Sequence, residues 1–316
     1  MDQTHESPSH HVPVLRDEVV AYLAPAGSGT IVDATYGRGG HALALAAAYP
    51  AAWIVGVDRD PEAVASAPRR PRLVVVRGNF ADLDRIVARV REEHDELPPI
   101  AGVLLDLGVS SPQLDAPERG FSYRTAGPLD MRMGPDAATD AASLVAHADV
   151  DELTRIFRRY GEERYARRIA EAVVRARPIH DTAELAAVVA EAVPAAARRS
   201  GHPARRVFQA LRIAVNEELD ALERGLDAAV GLLAPGGRIV VISYHSLEDR
   251  IVKRRFAAAA AGCVCPPDLP VCACGRVPEL RLVTRRAVRP SPKEVAENPR
   301  SRSARLRVAE KLEARP

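Results

Sequence analysis

The sequence predicts an α/β fold built on a mostly parallel sheet. Three observations carry this: short apolar runs alternate with helical patterns, the first run ends in a glycine-rich turn, and polar groups recur where successive runs end. Thr30–Asp33 reads as the first strand. Gly37, Gly39 and Gly40 form the turn after it, and His41–Ala48 is a helix of Ala and Leu. Trp53–Asp58 is the second strand. Asp60-Pro61 then starts a helix, with Asp as cap and Pro at the first helical position. Leu73–Val76 is the third strand and ends at Gly78-Asn79-Phe80. Val103–Asp106 is the fourth, and Arg238–Ser243, after the turn Ala234-Pro-Gly-Gly237, is the fifth. Leu280–Val288 and Ala304–Val308 are expected to pair as edge strands.

About 130 residues separate the fourth and fifth strands, where a single crossover needs only ~30. The part from 149 to 193 has apolar residues recurring at three and four and no strand signal. The expected organisation is a discontinuous sheet domain, 1–114 and 206–316, around an all-helical insertion at 115–205. Substrate recognition falls to the insertion, and Arg206–Leu233 reads as one long helix returning the chain to the sheet.

Composition sets the bounds. The chain has 316 residues, of which 47% are hydrophobic and 27% charged. That excludes a disordered, collagenous or coiled-coil chain and fits one large domain or two ordinary ones. The net charge is only +2, so any nucleic-acid surface must come from where the charges sit. Lys occurs only at 253, 293 and 311, and the Arg bias fits coding composition. The N-terminus has neither the basic region nor the apolar core of a signal peptide. The longest uncharged stretch, His41–Val57, is too short to span a bilayer. A soluble, cytoplasmic protein without membrane partners is expected.

The strand ends share the edge where open α/β sheets bind ligands. Glycines let backbone approach a ligand and let the next helix start tightly. Asp58, about 18 residues after the glycines, suits a pair of ribose hydroxyls. Phe80 is placed to pack on an adenine, and Asp106 opens the small, polar turn Asp106–Gln113. A dinucleotide needs G-x-G-x-x-G, whereas the order here is G-x-G-G-H with Asp33 at the strand end. S-adenosylmethionine has no phosphate in need of a seat. It carries a sulfonium and an ammonium, which favour carboxylates.

Seven motifs carry a family resemblance: His11-Val-Pro-Val-Leu15, Asp33-Ala-Thr-x-Gly-x-Gly-Gly-His41, Asp106-Leu-Gly-Val-Ser-Ser-Pro-Gln-Leu-Asp115, Gly120-Phe-Ser-Tyr123, Leu129-Asp-Met-Arg-Met133, Ser243-Tyr-His-Ser-Leu-Glu-Asp-Arg250 and Asn298-Pro-Arg-Ser-Arg-Ser-Ala304. Over about residues 10 to 312 the chain resembles the 16S rRNA cytosine-N4 methyltransferases, the RsmH (MraW) family. The resemblance implies a class I, Rossmann-like methyltransferase sheet with a helical insertion. It implies S-adenosylmethionine as cofactor, contacted by Gly39, Gly40, His41, Asp58, Phe80, Asp106 and Gln113. It also implies a substrate, one cytidine near the decoding site of 16S rRNA in the small ribosomal subunit.

The chemistry expected is one in-line transfer to a weakly nucleophilic exocyclic amine. An acceptor for an amine proton would direct the lone pair. Candidates are Asp106, with service to the cofactor alone as its alternative role, and Ser110, Ser111 or backbone carbonyls of its turn. His245 after the fifth strand could relay a proton or stack, or else be a hydrogen-bonded wall of the cleft. From 275 to 307 there are ten Lys/Arg against Glu279, Glu294 and Glu297, a candidate phosphate-binding patch or a solvated tail. Arg158-Arg159, Arg167-Arg168 and Arg198-Arg199 are similar clusters in the insertion. No metal is assigned. Cys263, Cys265, Cys272 and Cys274 form two C-x-C pairs, a less favourable chelate than C-x-x-C, and zinc there is the alternative to reduced thiols. Two other readings stay open: a non-catalytic RNA-binding assembly factor, and an enzyme acting on DNA or protein amines. The missing Asp-Pro-Pro-Tyr weakens the DNA version.

Overall fold

The computed structural model describes residues 12–195, 202–262, 265, 274 and 276–313, and at 111 and 112 the backbone alone. The strands are β1 Thr30–Asp33, β2 Trp53–Asp58, β3 Leu73–Arg77, β4 Ile100–Asp106, β5 Arg238–Ser243, β6 Leu280–Leu282 and β7 Arg305–Lys311. The helices described begin with α1 Arg16–Leu23, α2 Gly40–Ala48, α3 Pro61–Ala65, α4 Leu83–Glu93 and α5 Ser111–Asp115. They continue with α6 Ala141–His147, α7 Val150–Gly161, α8 Ala166–Arg175 and α9 Thr182–Ala192. The last are α10 Ala204–Asn216, α11 Glu218–Leu232, α12 Ser246–Ala260 and α13 Pro292–Glu297. Two compact units result. One runs to Asp58, resumes over Glu62–Leu107 and again from Arg224; the other is Arg59–Pro61 with Gly108–Glu223. The expected helical part, 115–205, omitted α10, whose buried Val207, Phe208 and Leu211 belong to the helical core.

The first unit holds a seven-stranded sheet in the order β3-β2-β1-β4-β5-β7-β6. The first five strands are parallel, and β7 pairs antiparallel with both β5 and β6. β1 is buried throughout and β4 is apolar and buried along most of its length, as strands covered on both faces must be. Strand order reverses between β1 and β4, so their carboxyl ends open a crevice. Leu15, Leu23, Ile31, Leu45, Ile54 and Leu104 belong to one core cluster of this unit.

The second unit is helical. Asp140, Asp149 and Asp181 cap α6, α7 and α9, each accepting a backbone N–H of the first turn. Leu153, Phe157, Ile169, Leu185 and Leu211 form its core. Gly161 lets α7 approach α10, because a Cβ there would sit 2.6 Å from the Arg206 carbonyl oxygen.

Three element boundaries differ from expectation. β4 starts at Ile100, ahead of Val103, and β6 stops at Leu282, leaving only an isolated bridge from Val288 to Leu306. The single return helix is two, parted at Glu217, whose φ of 50° is left-handed. Arg212 clasps Glu218 across the break with two 2.8 Å hydrogen bonds. The buried Asn216 amide donates to the Met131 carbonyl at 2.7 Å and accepts the Met133 N–H at 2.8 Å. Removing that amide strands buried backbone groups, which costs about 1–3 kcal/mol. Asn216→Ala is expected to lower the urea midpoint by that much free energy at unchanged slope, and an unmoved midpoint would contradict this.

Candidate active site

The glycine turn is shaped by an aromatic ring. Tyr36 is 3% exposed and lies against two glycines. A Cβ on Gly39 would fall 2.4 Å from its hydroxyl, and one on Gly56 of β2 would fall 2.5 Å from its ring. Gly37 and Gly39 both have positive φ, at 54° and 75°. A Cβ on Gly40 would meet Pro13 at 2.6 Å. The space these glycines free is therefore taken up by Tyr36 and Pro13 of the chain itself. Asp58 closes the turn, its Oδ2 accepting the Gly37 N–H at 2.7 Å.

Carboxylates meet where strand order reverses. Asp33 ends β1 and is 1% exposed. Burial pushes its carboxyl up to about 7, against the opposing pull of His41, and the charges of Asp106 and Asp58 push the same way. Its Oδ1 accepts the Thr35 N–H at 3.3 Å, while Oδ2 has no hydrogen-bond partner among the described residues. The Tyr36 hydroxyl and both His41 ring nitrogens are orphaned in the same way. Asp106 ends β4. Its N–H donates to the Thr35 hydroxyl at 2.6 Å, and its Oδ1 accepts the Tyr244 hydroxyl at 2.8 Å. His41 Nε2 stands 3.5 Å from its Oδ2, too far for a good hydrogen bond. Burial and the Asp106 charge push the Tyr244 hydroxyl well above its ordinary value, so it stays a neutral donor.

Buried polar atoms are nearly always paired. Several orphans at one crevice fit a polar ligand, and an unmatched buried carboxylate fits a cationic one. Gly39, Gly40, His41, Asp58 and Asp106 all stand at this edge of the sheet unit. Phe80 follows β3, half-buried, and a Cβ on Gly225 of α11 would lie 2.5 Å from its ring.

Gln113 has partners within the protein. It lies in the helical unit with both amide ends engaged: Oε1 accepts the Ser110 N–H at 3.1 Å and Nε2 donates to Asp60 Oδ2 at 3.0 Å. Arg119 joins the same oxygen at 2.9 Å. Asp60, expected as a helix cap, is also buried and accepts both of these hydrogen bonds through one oxygen. His245 likewise has a structural task. It caps α12 in a capping box, its Nδ1 accepting the Glu248 N–H and its Nε2 lying 3.0 Å from Glu248 Oε1. The Ser111 side chain lies outside those described. So do Cys263, Cys272, Arg198 and Arg199, and with them the zinc alternative and that Arg pair.

The basic segment splits in two. Arg305 and Arg307 grip Asp249 at 2.9 and 2.7 Å, and Arg281 binds Glu310 at 2.6 Å. Burial alone would raise Asp249, but these arginines outweigh it and hold its carboxyl below the ordinary value. Arg285, Arg286, Arg289, Lys293, Arg300 and Arg302 are exposed. No helix of the described residues is long and apolar enough to cross a membrane.

Sequence reasoning passed over Tyr36, Gly56 and Thr35. The available signal was an aromatic set inside the glycine turn, opposite a glycine in the neighbouring strand.

Sheet order, glycine turn and acidic crevice together define a class I methyltransferase. A family model described as the MraW methylase family matches residues 8–312. The ribosomal RNA small subunit methyltransferases H of Geobacter sulfurreducens and Thermomicrobium roseum are each 52% identical, over 96% of this chain and 99% and 94% of theirs. That of Heliobacterium modesticaldum is 50% identical over 96% of this chain and 99% of its own. Among solved structures, an rRNA methylase from Streptococcus thermophilus aligns over 94% of both chains at 11% identity with a TM-score of 0.40. The chain belongs to the MraW methylase family, and it is an S-adenosylmethionine-dependent methyltransferase.

The raised Asp33 carboxyl makes the ligand-free protein sensitive to pH. A folded-state value near 7 against 3.8 unfolded means that the native state holds the extra proton. The stability it contributes is present below the unfolded value and is lost as pH rises through about 7. Asn keeps the acceptor for Thr35 and adds a donor without charge. Asp33→Asn is therefore expected to raise the melting temperature of the ligand-free protein at pH 8 by several degrees and by less than half as much at pH 5, where only part of the penalty has developed. An equal shift at both would contradict the assignment.

Proposed function

We propose that this protein methylates the exocyclic N4 of one cytidine in the decoding region of 16S rRNA, within the small ribosomal subunit and in the cytoplasm. The observation that carries this reading is the pair of strand-end carboxylates at the reversal point, Asp33 with an orphaned oxygen and Asp106 anchored by Tyr244. The choice of rRNA draws on the names of the relatives, and the choice of cytidine N4 on the seven motifs.

When bound, S-adenosylmethionine supplies an electrophilic methyl on a sulfonium. Asp33 would hold its ammonium and Asp58 its ribose hydroxyls. The turn from Gly39 to His41 would border the methionine part, and Phe80 would pack on the adenine. Gln113, in the helical unit, uses one of its two amide N–H groups and one of its two lone pairs, so it keeps capacity for a further polar partner.

The cytosine amine is a weak nucleophile because its lone pair is delocalised into the ring. Catalysis then rests on alignment and on an acceptor for one amine N–H. Asp106 fits that task. Tyr244 and Thr35 fix it in place, and its Oδ2 faces His41 without a close hydrogen bond. His245 is committed to the α12 cap and makes a poor relay. The helical unit would recognise the RNA, and the exposed basic residues from Arg285 to Arg302 would meet phosphates. The target base would leave its stack to enter the crevice.

Labelled-methyl transfer to small subunits and to naked 16S rRNA, followed by mapping of the product nucleoside, tests this directly. One label on a cytidine N4 is expected. A label on another atom, on DNA or on protein would overturn the reading.

Cofactor affinity supplies a second check. Only the ionised Asp33 can hold an ammonium, and its proton is released near pH 7. The dissociation constant of S-adenosylmethionine is expected to rise about tenfold per pH unit below 7 in the wild type and to stay flat and weak in Asp33→Asn. A wild-type constant independent of pH between 5 and 8 would remove Asp33 from the site.

A further inference from the structure

The helical unit carries a basic hollow to which nothing above assigns a task. It is an open concavity of about 460 Å³ between α7 and α8, lined by Asp151, Thr154, Arg155, Arg158, Arg159 and Arg167. Arg155, Arg158 and Arg159 recur at the i, i+3, i+4 spacing that puts them on one face of α7.

Ion pairs divide these arginines. Arg167 is largely neutralised, with Asp151 at 3.1 Å and Glu171 at 3.2 Å. Arg155 reaches Glu152 only at 3.9 Å, with 68% of its side chain exposed. Arg159 lies over the Tyr160 ring at 5.3 Å, and Arg158 has no ion pair among the described residues. Three arginines therefore line the hollow without a close ion pair among the described residues, although Arg155 and Arg159 also border a second concavity with Glu152, Glu217 and Asp220. A solvated helix face accounts for one such group; three around a hollow fit an anion. Planar, bidentate donors match phosphate oxygens.

We propose that the α7–α8 hollow is a phosphate-binding subsite for the RNA backbone, held by Arg155, Arg158 and Arg159. It rests on the reading of RNA as substrate and assigns part of that recognition to named residues.

The test uses the full-length protein and a 16S rRNA fragment spanning the decoding region. Binding is measured from low to physiological salt for the wild type and for Arg158→Gln/Arg159→Gln, with S-adenosylmethionine affinity and melting temperature as controls. Because glutamine neither reverses charge nor disfavours helix, the fold should survive. If it does not, Arg155→Gln with Arg158→Gln serves the same purpose. RNA affinity at low salt is expected to fall on the order of tenfold. The slope of log affinity against log salt should flatten by about 0.7 for each phosphate that is no longer neutralised. Cofactor affinity should not change. Wild-type RNA binding matched by the variant in affinity and slope would overturn the subsite alone. A wild type that neither binds nor methylates the RNA would overturn the subsite together with the substrate reading.

Discussion

A carboxylate is sealed into the apolar edge of a sheet without a cation of its own. Asp33 is that group, and much of the site follows from how the chain surrounds it. Tyr36 closes over the neighbouring turn only because Gly39 and Gly56 leave room for its ring. His41, the nearest group able to bear positive charge, makes no hydrogen bond to either acid. Desolvation therefore wins, and the carboxyl is pushed up to about 7. In the proposed site, stability given up at this point keeps a receptor for positive charge assembled before the ligand arrives.

The second acid is treated differently. Asp106 is tied by a tyrosine hydroxyl and a threonine hydroxyl and remains partly open to solvent. The two carboxylates, on neighbouring strands, thus sit in different environments: Asp33 buried with an unmatched oxygen, Asp106 hydrogen-bonded and partly exposed.

How much of this was legible follows from what sequence encodes. β1, β2 and β5 fall where expected because each apolar run is bounded by a turn signal or ends in a polar residue. The start of β4 was hidden behind Pro98-Pro99, and the break after α10 has no glycine or proline to announce it, since a left-handed Glu217 gives no pattern. At the site, Asp58 and the glycines could be read from spacing. The hydrogen bond between Gln113 and Asp60 could not, because it joins residues distant in sequence and such choices are made by tertiary packing. Counting the basic residues of the C-terminal segment likewise overstated its free charge. Asp249 and Glu310 bind several of them to hold the edge of the sheet together.

In the proposed site Asp33 must give up a proton to receive the methyl donor. Calorimetric titration of S-adenosylmethionine at pH 6, in two buffers of different ionisation enthalpy, counts that proton directly. Release of about one proton per donor bound, abolished in Asp33→Asn, is the result the account requires. Binding with no proton released at that pH would contradict it.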